Sequence, residues 1–166
     1  MPGPDRPFGA WGARLYDGLG LLGGAVLAAM ALAVFLQVLL RYVFTYALDG
    51  LDEVPRYLFV WLVMLGGAAA MHRGEHTALA YFQERLPPRG RALAVTLVNG
   101  VGMLLFLSLI RTSFVLVPNS NLQSSAGLGL SLGYVYVAVP VGAALILLPM
   151  AWRLVVALRE LWPRPS

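Results

Sequence analysis

The chain has 166 residues, no cysteine and a hydrophobic fraction of 59%, above the ~45–50% of soluble domains. Charged residues make up 12%, against roughly 25% in a soluble protein, which excludes a soluble globular domain, and the length allows a single domain. The net charge of +4 comes from arginine with no lysine. No basic face with interleaved aromatics offers itself to nucleic acid, and the lack of cysteine excludes a disulfide framework and thiol chemistry.

Met1 to Trp11 hold three prolines and two glycines, which predicts a loosely ordered tail, with residues 1–14 outside the bilayer. Gly18 to Leu40 is 23 residues without a charge. A spanning helix needs about 20, so residues 18–40 are expected to cross. The apolar core of a cleaved signal peptide is only ~7–15 residues, shorter than this run.

The second apolar run, Tyr57 to Met71, has 15 residues, short of the ~17–25 a span requires. The helix must begin near Asp52, giving a span over 52–71 that draws Glu53 and Arg56 to the interface. The third span is expected over 92–117, with Arg111 snorkelling outward. Pro118 to Gly133 is an uncharged loop of Ser, Asn and Gly, and a fourth span follows over 133–152, with a basic tail over 153–166. Pro140 and Pro149 are expected to bend this last helix.

Between the second and third spans, Leu79, Phe82 and Leu86 share one helical face, which reads as a short amphipathic helix over 76–86 at the interface; an ordinary polar loop is the alternative. Nine arginines fall in the tail, this connection and the C-terminus, and three (Arg41, Arg56, Arg111) on the other side. The positive-inside rule then places both termini in the cytoplasm. The expected fold is an all-α membrane protein of four spanning helices plus one interfacial helix.

His72-Arg-Gly-Glu75-His76 matches a zinc-hydrolase pattern, but Gly74 interrupts it and no third ligand stands out. No metal or cofactor is expected, and both histidines read as membrane-surface residues in a turn. Asp49, Asp52 and Glu53 suit the positive end of a helix as caps, with Pro55 tolerated in the first turn. Glu53 and Arg56, one turn apart, alternatively form a polar contact with a partner. Arg41 either snorkels to the surface or joins that contact, and Tyr42 and Tyr57 fit an aromatic belt.

No Asp, Glu, Lys or His sits in the middle of a span, whereas ion-coupled carriers bury such groups. Gln37, Asn99 and Ser108 are explained by interhelical hydrogen bonds. Gly20, Gly24 and Ala28 form a small-residue stripe on the first helix, and Gly66, Gly67 and Ala70 a smooth patch on the second. These serve either internal packing or a partner.

Phe35–Phe44 (FLQVLLRYVF), Asp52-Glu53, Arg56–Ala70 (RYLFVWLVMLGGAAA), Arg73–His76 (RGEH), Leu86-Pro87 and Leu132–Gly142 (LGYVYVAVPVG) together resemble the small membrane subunit of tripartite ATP-independent periplasmic (TRAP) transporters. The resemblance runs in order along nearly the whole chain. It departs at Gly50 or a neighbour, where the family usually has tryptophan, and at Ala80, where aspartate is frequent. It implies a bacterial inner-membrane scaffold that pairs with a large multi-span permease carrying the substrate and sodium sites. A soluble periplasmic binding protein would deliver an organic acid to the outer face. Arg41, Tyr42, Asp52, Glu53, Arg56 and Trp61 are then the expected partner or docking residues. A small homo-oligomeric carrier would need its own coupling carboxylate, and a redox-complex anchor would need haem or quinone ligands.

Overall fold

The structure is a computed structural model that describes residues 9–46, 50–73 and 88–161. Within them the chain is helical: α1 (Gly9–Tyr42), α2 (Glu53–Arg73), α3 (Pro88–Asn121), the single turn α4 (Gly133–Tyr136) and α5 (Ala138–Leu161). Four segments are long and apolar enough to cross a membrane, with α4 and α5 together making the fourth. The proposed 76–86 helix lies outside the described residues.

The helices form a row. α1 packs on α2, α2 on α5, and α5 on α3, so α1 and α3 are its two edges. Both edge helices have 34 residues, about 51 Å at 1.5 Å per residue. Close approach within the row depends on missing side chains. A Cβ at Gly142 would run into Met64 of α2, and one at Gly102 would run into the methyl group of Met150. The buried core gathers at one end of the row, around Tyr16, Ala68, Met71, Ile146 and Met150.

Several boundaries differ from the sequence reading: α3 starts at Pro88 and not at 92, and α5 runs through the expected tail to Leu161. α1 starts nine residues before Gly18, because the segment ahead of the apolar run continues the packed face: Gly12 and Tyr16 are buried with Gly23. α3 passes through Pro118 and ends at Asn121, so the expected loop opens four residues later. Proline's fixed φ suits a helix, and the turn beyond it is held by the Ser120 hydroxyl on the Leu116 carbonyl at 2.7 Å. The break between α4 and α5 falls at Val137. Pro140 has no N–H to give the Tyr136 carbonyl, so the ladder is interrupted there.

The polar groups in the spans also behave differently. Asn99 donates from Nδ2 to Val95 of its own helix at 2.8 Å, and the Ser113 hydroxyl to Leu109 at 2.7 Å, satisfying the back-bonding preference of short polar side chains. Both bonds lie within α3, whereas a bond between helices was expected for Asn99.

Candidate functional site

Most of the residues singled out as a partner site converge where α1 ends and α2 begins. α1 stops as Thr45 takes a left-handed conformation, φ 53°, which folds the Tyr46 N–H back onto the Leu40 carbonyl at 3.0 Å. This supplies a donor to an otherwise unpaired helix-end carbonyl. The chain re-enters at Gly50, whose φ of +87° lies in the left-handed region. A Cβ there would stand 2.6 Å from the Gly127 carbonyl carbon, so glycine is needed both for the turn and for contact with the loop beyond α3.

That loop is a small folded unit. Ser125 N–H donates to Leu130 at 2.8 Å, Leu132 N–H to Gln123 at 3.0 Å, and the Ser125 hydroxyl accepts from Leu128 N–H at 3.1 Å. Glu53 fastens it to α2. One carboxylate oxygen accepts from Gly127 N–H at 3.1 Å, and the other from the Tyr57 hydroxyl at 3.2 Å. The acid read as a possible cap of its own helix is therefore the clamp between two loops far apart in sequence.

Between these loops and the end of α1 opens a cleft of about 540 Å³, lined by Gln37, Arg41, Tyr46, Asp52, Glu53 and Gly127 among others. Arg41 and Asp52 are exposed, so the cleft presents a guanidinium and two carboxylates together, a surface suited to polar contact with another macromolecule. Tyr42 points outward with 77% of its surface exposed, Arg56 is exposed, and Trp61 is half-buried along α2.

The packing stripe is divided. Gly20 faces α2, where an added Cβ would meet Arg73 Nη2 at 3.1 Å and the Ala69 Cβ at 3.7 Å. Gly24 is exposed, with nothing within 4 Å of a Cβ, and Gly23 takes the contact in its place, against Gly66 N at 3.9 Å. Four-residue spacing drifts around a helix of 3.6 residues per turn, which carries Gly24 and Ala28 off the contact face. Gly67 faces α5, where an added Cβ would meet Ile146 Cδ1 at 3.5 Å. Ala70, beside the buried Ala68 and Ala69, is half-buried.

At the opposite end a second cluster was not foreseen. The Tyr16 hydroxyl donates to the Leu145 carbonyl at 2.8 Å. Its ring stacks on His72 with centroids 4.3 Å apart and planes within 5°. His72 is 5% exposed, so it belongs to the last turn of a packed helix and not to a surface turn. The other half of the H-x-x-E-H match, Glu75 and His76, falls outside the described residues. Arg73 pairs with Asp17 at 3.4 Å, and Arg153 Nη2 donates to the His72 carbonyl at 3.5 Å.

Comparison with known proteins agrees with a transporter subunit. The sequence model of the DctQ component of tripartite ATP-independent periplasmic transporters matches residues 30–162. A protein of Haemophilus influenzae that carries the name TRAP transporter small permease protein is 32% identical over 132 residues, 79% of this chain and 81% of the relative. The sialic acid TRAP transporter permease protein SiaT of Haemophilus influenzae is 26% identical over 76% of this chain, which corresponds to 20% of that longer protein. The Sinorhizobium fredii protein y4mM is 29% identical over 82% of this chain, 25% of its own length.

Proposed function

The chain belongs to the DctQ family, the small permease component of TRAP transporters, and from that membership we propose that it is the non-catalytic scaffold of a sodium-coupled importer of organic acids. It braces the large permease subunit and contributes to the face on which a substrate-binding protein docks. The observation that carries the scaffold reading is the row itself. Its edge helices α1 and α3 each present a long apolar flank that no other helix of the chain covers among the described residues. Similarity to a fifth of SiaT supports it, since that segment is covalently part of a larger permease.

The arginine distribution supports a bacterial inner-membrane placement with both termini cytoplasmic. In that orientation the Arg41–Asp52–Glu53 cleft and the 122–132 loop face the periplasm, where a binding protein arrives, and the Tyr16–His72 cluster lies near the cytoplasmic surface.

Reconstitution tests the proposal. The large subunit is placed in proteoliposomes with or without this chain, and sodium-gradient-driven uptake of organic acids is measured in the presence of the cognate binding protein. Uptake that requires the chain is expected. Undiminished uptake by the large subunit alone contradicts the bracing role.

A further inference from the structure

Two contacts between helices fix the depth of Arg111. Asn121 lies against Gly133 at the start of α4, and Gly102 against Met150 of α5, so α3 runs antiparallel to the α4–α5 segment. Nine residues on from Gly102 is Arg111, and nine before Met150 is Val141, which places the two at one level. Val141 adjoins Gly142, which packs on Met64 of α2. Met64 stands eleven residues after Glu53 and nine before Arg73 in α2, about 16 Å and about 14 Å from its ends. The hydrocarbon core of a bilayer is ~30 Å thick, so with α2 crossing it Arg111 sits near the middle.

Among the described residues its surroundings offer no counter-charge. Asp17 pairs with Arg73 at one end of the row, and Asp52 and Glu53 line the cleft at the other. Arg111 is exposed, together with Ser108 one turn before it and Thr112 beside it, on a flank otherwise formed by Leu104, Phe114 and Val115. Snorkelling was expected from the sequence with a span that ends at residue 117, six residues after Arg111. α3 continues ten residues beyond Arg111 to Asn121, about 15 Å, beyond the reach of an arginine side chain. Charged residues at such depth are costly against lipid and are found facing protein. The opposite edge of the row has no charge between Gly18 and Leu40 and suits lipid.

We propose that the α3 flank marked by Ser108, Arg111 and Thr112 is the surface that meets the large permease subunit, and that Arg111 donates to a carboxylate of that subunit at mid-membrane depth. The proposal rests on the family reading that a large permease is the partner. It assigns the α3 edge to that partner and the α1 edge to lipid.

The test is photocrosslinking of the chain co-expressed with its large subunit, with a benzophenone amino acid at position 108 on α3 or at position 32 on α1, where Leu32 is 65% exposed. Position 108 is expected to give an adduct with the large subunit, and position 32 none. In parallel, Arg111→Leu is expected to lower recovery of the co-purified large subunit about tenfold, with Arg111→Lys retaining more of it. An adduct from position 32 alone, an adduct of position 108 with a second copy of this chain, or full recovery with Arg111→Leu overturns the assignment. A wild-type chain that brings down no large subunit defeats the underlying scaffold reading itself, whichever edge is probed.

Discussion

The Tyr16 hydroxyl donates to the Leu145 carbonyl at 2.8 Å, the oxygen that Pro149, four residues on, leaves without a backbone donor. In an α-helix that carbonyl would accept from the N–H of residue 149, and proline has none. Pro149 is fully buried, so water is a poor substitute. A side chain from α1 thus completes the hydrogen bonding of α5 while its ring rests on His72 of α2, joining three helices through one residue.

Tyr16→Phe keeps the ring and removes the donor, and is expected to cost about 1 kcal/mol. In a Pro149→Ala background, position 149 regains an N–H and the hydroxyl becomes dispensable. A double-mutant cycle by thermal unfolding in detergent checks this. The loss on removing the hydroxyl should nearly vanish in the second background; equal losses in both would mean that the bond to Leu145 contributes nothing.

Glu53 holds the 122–132 loop through Gly127. Glu53→Ala should release that loop while leaving the spans in place, and Glu53→Gln, with one acceptor oxygen remaining, should fall between. Hydrogen exchange at residues 125–130 is the readout, with faster exchange expected. Unchanged protection there would show that the loop's own hydrogen bonds suffice.

At Gly50 a side chain meets two obstacles, the left-handed φ and the Gly127 backbone. Gly50→Ala is expected to destabilise by about 1–3 kcal/mol and to lower the yield of folded protein from membranes. A yield and melting temperature equal to wild type would contradict the close packing of the two loops.

Neighbouring glycines on α1 should respond in opposite ways. Gly23→Leu pushes α1 off α2 and should reduce the melting temperature of the purified chain, whereas Gly24→Leu projects into open space and should leave it unchanged. The reverse order would mean that α1 is rotated about its axis relative to the packing described.

Composition and run length were enough to read four spans and an all-helical fold, because a bilayer leaves an isolated chain few alternatives. The Asp52–Glu53 segment and Arg41 were also legible, as charges at the edge of apolar runs. Their geometry was not. Glu53 looked like a cap because its true partner, Gly127, is 74 residues away and carries no side-chain signal. Gly24 looked like a packing residue because small-residue spacing fixes a stripe without saying which way it faces. Tyr16 was passed over because it precedes the apolar run, although Pro149 inside an expected helix already announced a free carbonyl at Leu145 in need of a donor. Arg111 was read as snorkelling outward because the span was expected to end at residue 117, whereas α3 runs on through Pro118 to Asn121.

A chain that works only as part of a larger permease should stay bound to it when the tagged protein is affinity-purified from native membranes in mild detergent and what accompanies it is identified by mass spectrometry. A large multi-span permease subunit recovered in stoichiometric amount is the predicted result. A chain recovered alone, or as a dimer of itself, would contradict it.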